Sequence, residues 1–425
     1  YPSRFNPACR VLKRLKRNLE GLGMSDTMSL SNSEWRKCEL KNIAEVQTGP
    51  FGSQLKNEQY ITGGTPVITV EHINNFRIDD FDYPSITDED KDRLAKYLLK
   101  SGDIVFTRVG SVDLSAFVQP HHDGWMFSSR MLRVRPISDI DSRFLSYFFQ
   151  QKIFREYILN IAVGATMPSI NTEILKGIPV SYPPLPEQKA IAEVLSSLDD
   201  KINLLHRQNK TLEQMAETLF RQWFVEEAGE DWEEGVVSDL IDFNPRRILA
   251  KGTIAPYLEM ASLNTQTFNP DGWYDREYKS GTKFINEDTL LARITPCLEN
   301  GKTAYVTFLQ EKEIAWGSTE YIVMRPKEGI HPFFAYTLAR NSGFRDYAEG
   351  CLAGSSGRQR IDLDHLKNFD IPIPPNYMLE IFNDILEDIV PKLGVNAVQI
   401  STLENLRNTL LPKLMNGEIR IASNE

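Results

Sequence analysis

Cysteine is scarce in this chain, which has four among its 425 residues. They are Cys9, Cys38, Cys297 and Cys351, and they lie far apart, with no C-x-x-C pair and no histidine at a zinc-ligand spacing. Structural zinc sites and disulfide frameworks both need characteristic cysteine spacings. We therefore expect free thiols and no metal site.

Long apolar runs are missing as well. No stretch of about 18 consecutive apolar residues is present, which is the length that suggests a membrane-spanning helix. The first residues also lack the pattern of a secretory signal peptide. We expect a cytoplasmic protein that does not bind a membrane.

Positive charge is not in excess, because 48 Lys and Arg against 58 Asp and Glu give a formal net charge of -10. This balance argues mildly against a purely electrostatic nucleic-acid binder, without excluding local basic faces. Residues 1–23 are the exception, since basic side chains dominate there over Glu20. This basic tail is either an arm for nucleic acid or, as we favour, a disordered or added extension outside the fold.

Catalytic motifs are also absent. An amino-methyltransferase needs a glycine-rich cofactor loop and an Asn/Asp-Pro-Pro-aromatic pocket, and the double prolines of this chain lack the flanking residues. Residues 300–303 (NGKT) imitate the end of a phosphate loop, but a β-like run follows where a helix is required. The pair His121 and His122 before Asp123 is more typical of a turn than of a metal site. We expect a non-catalytic chain with no cofactor of its own.

What the chain does contain is a duplication. Residues 183–224 recur without a gap as residues 374–415, and each copy has apolar side chains at alternating steps of four and three. This spacing is the heptad pattern of a coiled coil. The predicted seam consists of Ile191, Leu195, Leu198, Ile202, Leu205, Leu212 and Leu219 in the first copy, and of Phe382, Leu386, Ile389, Leu393, Ile400, Leu403 and Leu410 in the second.

Polar residues and a proline interrupt the heptads. Asn209 breaks the first seam, and Asn396 and Arg407 break the second. If the helices pair antiparallel with pseudo-twofold symmetry, we expect the two asparagines at opposite ends of the seam; the alternative is one exposed edge position in each helix. Pro391 removes a hydrogen bond inside its helix, which predicts a kink or break near Val390.

The duplication extends more faintly into the segments before the helices. Residues 103–108 align with 288–293 and residues 154–157 with 344–347, and the drifting offsets indicate loops of different length on one scaffold. Short β-branched or alternating runs predict strands, and aromatic residues at helical spacing predict helices. The fold class is therefore α+β, with two repeated mixed domains joined by two long helices that form an antiparallel coiled coil.

Proline-rich stops at 182–186 and 371–375 separate each mixed domain from its helix. We divide the chain into a basic tail at 1–23, a first domain at 24–182, a first helix at 183–225, a second domain at 226–373, a second helix at 374–416 and a C-terminal tail at 417–425.

Three motifs in this layout resemble one known family. Residues 35–55 (WRKCELKNIAEVQTGPFGSQL) look like the opening of a target recognition domain, residues 183–192 (PPLPEQKAIA) look like the start of a spacer helix, and residues 410–419 (LLPKLMNGEI) look like the end of a second one. The chain thus resembles the specificity subunit of type I restriction-modification systems over residues 24–421. It departs from the pattern at 376–379 (NYML), where proline, glutamate and glutamine are expected.

The resemblance implies two target recognition domains in a non-catalytic DNA-binding subunit. Each domain would read one half of a bipartite, asymmetric site in double-stranded DNA, and the helices would set the gap and dock two methyltransferase subunits. Those partners would bind S-adenosylmethionine, and separate motor and endonuclease subunits would use ATP and Mg²⁺. Exposed helix faces would favour self-association of the isolated chain.

Candidate DNA-reading residues are the polar side chains in the glycine-rich loops of both domains, because forked donors and acceptors discriminate base edges. For any single residue, a capped turn or a phosphate contact is the competing interpretation. Arg108 and Arg293 have a further alternative, which is a structural pairing with Asp103 and Asp288. The candidates are Gln54, Lys56, Thr107, Arg108, Ser128, Arg130, Thr166, Ser169 and Asn171 in the first domain, and Asn244, Arg246, Arg293, Thr295, Ser318, Thr319, Ser355, Ser356, Arg358, Gln359 and Arg360 in the second.

Two other functions compete with DNA specificity. The chain is alternatively a coiled-coil scaffold or oligomerisation protein whose globular domains bind proteins, or a free-standing methyltransferase, which the missing motifs disfavour. Divergent polar loops on duplicated frames favour DNA reading over the scaffold.

Overall fold

The computed structural model describes residues 35–421 except Asp80, Ser138, Ala165 and residues 355–358. The predicted basic tail at 1–23 lies outside these residues. The chain forms two compact units: the first comprises the described residues up to Lys201 together with those from Leu403 onwards, and the second is Ile202–Thr402. None of the helices in these described ranges is long and apolar enough to span a bilayer.

The first unit mixes strands and helices. Its strands are β1 (Arg36–Glu39), β2 (Ala44–Thr48), β3 (Thr65–Ile68), β4 (Ile73–Asn74), β5 (Arg77–Ile78), β6 (Ser85–Ile86), β7 (Ile104–Thr107), β8 (Ser115–Phe117), β9 (Met126–Phe127), β10 (Met131–Pro136) and β11 (Pro179–Tyr182). Its helices are α1 (Asp88–Arg93), α2 (Ser142–Gln150), α3 (Lys152–Ile161), α4 (Thr172–Lys176) and the first part of α5 (Leu185–Arg221). One sheet is antiparallel with the order β2-β10-β7-β8, another has the order β6-β3-β9, and β1 pairs with β11 and β4 with β5.

The second unit has a similar content. Its strands are β12 (Glu233–Val236), β13 (Ile241–Phe243), β14 (Ile254–Leu258), β15 (Tyr274–Glu277), β16 (Thr282–Phe284), β17 (Thr289–Ala292), β18 (Thr303–Tyr305), β19 (Ala315–Gly317), β20 (Tyr321–Pro326), β21 (Leu352–Ala353), β22 (Arg360–Ile361) and β23 (Asp370–Ile373). Its helices are the second part of α5, α6 (Val237–Leu240), α7 (Phe334–Arg340), α8 (Ser342–Gly350), α9 (Leu363–Leu366) and most of α10 (Asn376–Met415). The sheets have the orders β13-β20-β17-β18, β15-β14-β19-β16, β12-β23 and β21-β22.

The two units repeat one topology. The antiparallel sheet β13-β20-β17-β18 has the same strand order as β2-β10-β7-β8, and the parallel pair β14–β19 corresponds to β3–β9. In each unit the first strand pairs with the strand directly before a long helix, as β1–β11 and as β12–β23. The predicted α+β fold class, with two repeated mixed domains and two long antiparallel helices, is confirmed.

The central strands are apolar at successive positions because both faces of the sheet are covered. All four residues of β7 and all four of β17 are buried. Phe106 of β7 packs against Phe149 of α2, with the ring centres 4.7 Å apart. In the second unit the ring centres of Tyr305 and Phe333 are 4.9 Å apart. Helices therefore cover the sheet in each unit and fill its core with aromatic rings.

A buried ion pair recurs in both units. In the first, Arg135 of β10 donates from Nε and Nη2 to the two carboxylate oxygens of Asp103, at 2.7 Å each. In the second, Arg325 of β20 donates from Nη1 to Asp288 at 3.2 Å. The same oxygen of Asp288 accepts from Arg247 at 3.3 Å. Each carboxylate is thus neutralised by an arginine of the neighbouring strand.

The long helices run antiparallel, as their contacts in the first unit indicate. Asp199 of α5 accepts a hydrogen bond from Arg407 of α10 at 3.0 Å. Glu187, at the start of α5, accepts from Arg420, beyond the end of α10, at 2.6 Å. Contacts nearer the beginning of α5 therefore involve residues nearer the end of the chain.

The two seam asparagines contact each other in the second unit. Asn396 donates from Nδ2 to Oδ1 of Asn209 at 2.8 Å. The expectation that they lie at opposite ends of the seam is wrong. Asn209 lies near the middle of α5, and in an antiparallel pair a residue near the middle of one helix faces the middle of the other.

Of the kink or break predicted near Val390, the break is wrong, because α10 is a continuous helix through Pro391. Ile389 and Leu393 on either side of the proline are buried. Packing of an apolar face supplies most helix stability in proteins, so it maintains a helix that local propensity opposes.

An amide side chain ties each long helix to the domain before it. Gln188 is buried in α5, accepts from the backbone N–H of Asp141 at 2.8 Å and donates to a backbone carbonyl. In the second copy Leu379 stands at the equivalent position. Asn383, one turn later, accepts from the backbone N–H of His331 at 2.8 Å and also donates to a carbonyl. Asn383 therefore compensates for the departure at 376–379 (NYML), because it makes equivalent backbone contacts from a position one helical turn later.

Candidate nucleic-acid interface

In the first unit, the loops that carry the DNA candidates meet at one edge of the four-stranded sheet. β2 and β7 end there and β10 begins there, because neighbouring strands are antiparallel. A Cβ on Gly49 would lie 2.1 Å from the carbonyl oxygen of Ser128, so the close approach of these loops requires glycine. We define the first loop edge as residues 49–56, 107–112, 128–130 and 166–171.

The second unit brings its candidate loops together in the same way. β13 and β17 end at the edge where β20 begins. Asn244 exchanges two hydrogen bonds with the backbone of Val323, at 2.7 Å and 2.9 Å. Its φ of 50° lies in the left-handed region, which asparagine tolerates better than most residues. We define the second loop edge as residues 244–247, 293–295, 318–320 and 359–360.

A backbone frame organises the first loop edge. The N–H of Arg108 donates to the carbonyl of Arg130 at 2.8 Å. The carbonyl of Arg108 accepts at 2.9 Å from the residue that follows Ser169. The residue after β7 therefore connects two loops that are distant in sequence.

The second loop edge repeats this frame with different side chains. The N–H of Arg293 donates to the carbonyl of Glu320 at 2.8 Å, and its own carbonyl accepts at 2.9 Å from the residue that follows Arg360. Glu320 thus occupies the position of Arg130, and Arg360 occupies that of Ser169. The two edges therefore share one backbone frame, with opposite charge at one equivalent position (Arg130 and Glu320) and a neutral residue facing a basic one at the other (Ser169 and Arg360).

Four candidates of the first loop edge face solvent, namely Lys56, Arg130, Thr166 and Asn171. Arg108 is half-buried, with its guanidinium carbon 5.2 Å from the centre of the Phe51 ring. Asn171 caps α4, so Lys56, Arg130 and Thr166 are the exposed candidates of this edge that do not cap a helix.

The suggested pairing of Arg108 with Asp103, and of Arg293 with Asp288, is wrong. Arg108 donates from Nη1 to the carbonyl of Ser129 at 3.5 Å. Arg293 donates from Nε to the carbonyl of Ile361 at 2.9 Å. These arginines hold loops together, while arginines of the neighbouring strands bind the carboxylates.

Other candidates of the first loop edge hold the loops in shape. Thr107 is fully buried, and its hydroxyl donates to the backbone of Ser111 and Leu114. Ser128 is buried too. Thr107 and Ser128 are therefore not accessible to a ligand at this edge. The candidates Gln54, Ser169 and Asn171 hydrogen-bond to Tyr97, to the carbonyl of Val163 and to the N–H of Ile174, respectively.

At the second loop edge, Arg246 and Thr319 are exposed. The hydroxyl of Ser318 accepts from the N–H of Glu320 at 3.1 Å, and the hydroxyl of Thr295 accepts from the N–H of Gln359 at 3.2 Å. The candidates Ser355, Ser356 and Arg358 lie outside the described residues.

Arg360 and Glu320 form a two-point ion pair at this edge. Arg360 donates from Nε to both carboxylate oxygens at 2.9 Å and from Nη2 to Oε1 at 2.7 Å. These bonds lower the pKa of Glu320 below its ordinary value, so the carboxylate is ionised near neutral pH. Sequence reasoning named Arg360 as a loop candidate but missed its pairing with Glu320, because the two residues are distant in the chain.

The seam residues of the long helices are buried, except Leu212 and Leu219, which are half-buried against the core of the second unit. Outside the seam, that unit also exposes several apolar side chains, which sequence reasoning missed because they do not follow the heptad pattern. They are Leu204 and Met215 on α5, and Ile381, Val395 and Val398 on α10.

The NGKT segment serves the protein's own backbone. It leads into β18, and Lys302 donates from Nζ to the carbonyl of Met260 at 3.0 Å. At the other doubtful motif, Nδ1 of His122 accepts from the N–H of Gln119 at 3.2 Å. Across the described part of the chain, no three His, Cys, Asp or Glu side chains cluster as a metal site.

Comparison with known proteins identifies the family. A family model described as the type I restriction modification DNA specificity domain matches residues 32–214 and 229–404. The chain is 31% identical to the putative type I restriction enzyme MjaX specificity subunit of Methanocaldococcus jannaschii, over 91% of this chain and 94% of that protein. It is 26% identical to the type I restriction enzyme MjaIX specificity subunit of the same organism, with the same coverage of both chains.

A solved structure has a similar fold. The crystal structure of the S subunit of a type I restriction-modification system from M. genitalium matches with a TM-score of 0.57 and 16% identity, over 91% of this chain and 98% of that chain. The resemblance found in the sequence is confirmed, since the family model covers most of the chain in two successive matches. This chain therefore belongs to the DNA specificity subunits of type I restriction-modification systems.

Proposed function

We propose that each domain of this specificity subunit reads one half of a bipartite, asymmetric site in double-stranded DNA, using its loop edge. The observation that carries this proposal is the shared backbone frame with different side chains. Arg130 and Ser169 stand in the first edge where Glu320 and Arg360 stand in the second. Different donors and acceptors on one frame select different bases, because the major groove presents a distinct pattern for each base pair.

The long helices set the length of the unread gap in this proposal. α5 has 37 residues and α10 has 40. At about 1.5 Å per residue, helices of this size are roughly 55 to 60 Å long. Buried seam residues and ion pairs such as Asp199–Arg407 stiffen the pair, which a spacer of fixed length requires.

The helices also dock two methyltransferase subunits. The exposed apolar side chains of the second unit, such as Met215, Val395 and Val398, support this part of the proposal. Contiguous exposed apolar surface on a protein commonly marks a partner site. In isolation the same surface favours self-association.

Catalysis belongs to the partners in this scheme, and the chain itself contributes recognition. The methyltransferase subunits bind S-adenosylmethionine and methylate adenine, and motor and endonuclease subunits use ATP and Mg²⁺. The proposed complex works in the cytoplasm on double-stranded DNA.

The test is to combine the full chain with its cognate methyltransferase subunit and S-adenosylmethionine, and to map adenine methylation on a random DNA library. A split motif with a fixed gap is expected. Replacing the exposed side chains of the first loop edge, with Lys56→Ala and Arg130→Ala, is expected to change only one half of that motif.

Two outcomes would contradict the proposal. Assembly with the methyltransferase subunit but methylation without any split motif would exclude bipartite reading. Failure of the two proteins to assemble, together with stable self-association of this chain, would favour the scaffold function instead.

A further inference from the structure

The geometry points to Arg360 as the residue that reads a guanine in the half-site of the second domain, with Glu320 as the residue that positions its guanidinium. This inference rests on the proposed function and adds a specific base and a specific mechanism of recognition to it.

Among the residues that the structure describes, no hydrogen bond occupies the reading side of Arg360. Glu320 binds the side of the guanidinium formed by Nε and Nη2. An arginine has five N–H donors in a planar fork, so Nη1 and the second N–H of Nη2 remain as a parallel pair. A parallel pair of donors matches N7 and O6 of guanine, which is the commonest specific contact of arginine in the major groove.

Exposure distinguishes the roles of the two side chains. The side chain of Arg360 is 48% exposed, whereas that of Glu320 is 21% exposed. The carboxylate therefore lies on the protein side of the pair and the guanidinium on the solvent side. An approaching base meets the arginine first.

Glu320 is itself held in place by backbone contacts. Its carbonyl accepts from the N–H of Arg293, and its N–H donates to the hydroxyl of Ser318. A side chain that is fixed before binding loses less conformational entropy when the complex forms. An exposed ion pair adds little stability on its own, so stability does not account for this arrangement.

The first loop edge has no arginine–glutamate pair at the equivalent positions. Arg130 occupies the place of the carboxylate and Ser169 the place of the arginine. The asymmetry of the two edges implies that the guanine contact occurs in one half-site only.

The experiment maps methylation by the assembled full-length complex on a random library, for the wild type and for four variants. Arg360→Lys keeps the charge but removes the fork. Glu320→Ala releases the guanidinium, and Glu320→Gln keeps an oxygen acceptor for it. The double variant Glu320→Arg with Arg360→Glu restores an ion pair with the partners exchanged.

We expect Arg360→Lys to reduce the preference for guanine at one position of one half-site about tenfold, and to leave the other half-site unchanged. This magnitude is about that of one good bidentate base contact. Glu320→Ala is expected to give a similar loss, with partial recovery in Glu320→Gln. The exchanged pair is expected to lose the guanine preference although its thermal unfolding is unchanged.

Other results would overturn the inference. Equal weakening on all sequences with a shallower salt dependence would identify a phosphate contact. An unchanged motif in Arg360→Lys, or full recovery in the exchanged pair, would leave only a structural ion pair. Absence of a split motif in the wild type would instead contradict the proposed function, so the two failures are distinguishable.

Discussion

Glu213 of α5 is buried beside Tyr336 in the second unit, and its carboxylate accepts the tyrosine hydroxyl at 2.7 Å. Burial raises the pKa of Glu213 from 4.5 to about 7, and the hydrogen bond from Tyr336 lowers it by less. A raised folded-state pKa means that the folded state binds the proton more tightly than the unfolded state. The resulting stabilisation is complete below about pH 4.5 and is lost as the pH rises through about 7.

Glu213→Gln is therefore expected to flatten the pH dependence of stability of the second unit. At one pKa unit per 1.36 kcal/mol, the wild type loses roughly 3 kcal/mol from this group between pH 4.5 and pH 8. Hydrogen exchange of the α5 segment around residue 213, measured across this range, tests it. Glu380→Gln, an exposed glutamate in the same unit, is the matched control. An unchanged pH profile in Glu213→Gln would show that another group titrates.

The ion pair of Asp103 with Arg135 is expected to stabilise the first unit. Asp103→Ala leaves the half-buried guanidinium without its partner, and breaking a buried pair from one side costs about 3 to 5 kcal/mol. The partly exposed arginine puts the expected loss near the lower value. Denaturant unfolding of the first unit measures it, and Asp103→Ala with Arg135→Met is expected to recover most of it. No recovery of stability in the double variant would mean that Asp103 acts through the hydrogen bond that its carboxylate accepts from the N–H of Lys100.

At the scale of the element, the long helices combine an apolar seam with one polar contact. Asn209 is buried and accepts a hydrogen bond from the half-buried Asn396, so the buried amide has this partner only when these two positions meet. A single buried asparagine pair disfavours other registers of a coiled coil at some cost in stability. The pair therefore selects the antiparallel register that also brings Asp199 to Arg407.

Replacing the two asparagines tests this selection. Asn209→Leu alone leaves Asn396 without its partner, and we expect a loss of about 1 to 3 kcal/mol. Asn209→Leu with Asn396→Leu is expected to be at least as stable as the wild type but to sample other pairings. Disulfide trapping with cysteines at shifted positions measures those pairings. Trapping confined to the wild-type register in the double variant would assign register control to other residues.

Sequence periodicity predicted the elements better than the contacts between them. The heptads located both long helices, since apolar spacing is a property of neighbouring residues. The contact between Asn209 and Asn396 depends on the register of two distant segments, which no local pattern specifies. Gln188 and Asn383 illustrate the same limit, because a one-turn displacement of an amide is not visible without its backbone partners.

Across the whole molecule, the sequence predicted loops that the structure brings to one sheet edge in each unit. It did not distinguish the side chains that face solvent from those that hold the loops in shape. Loops after strands are recognisable from glycine and polar residues, whereas the direction of a side chain depends on packing. Thr107 was a DNA candidate because it lies at the end of a strand, yet its hydroxyl hydrogen-bonds to the backbone. Arg360 and Glu320 pair because the backbone of Arg293 connects their two loops, and no local pattern in the sequence specifies that contact.

If the long helices act as the proposed spacer, the length of the unread gap depends on the length of the helices. Seven residues inserted in α5 between Lys201 and Ile202, and seven in α10 between Thr402 and Leu403, keep the heptads in phase and add about 10.5 Å. At about 3.4 Å per base pair, the gap in the methylated motif is expected to grow by roughly three base pairs, with both half-sites unchanged. Insertion of seven residues in only one of the two helices is the control. This variant is expected not to assemble with the methyltransferase subunit. An unchanged gap with both insertions would separate gap length from helix length.

The composition of the first unit also affects how the protein is made. The described residues from Leu403 onwards belong to that unit, and Arg420 binds Glu187 at the start of α5. A ribosome synthesises them only after every residue of the second unit. A chain that ends just before residue 403 therefore contains all of the second unit but lacks part of the first, including the arginine that pairs with Glu187.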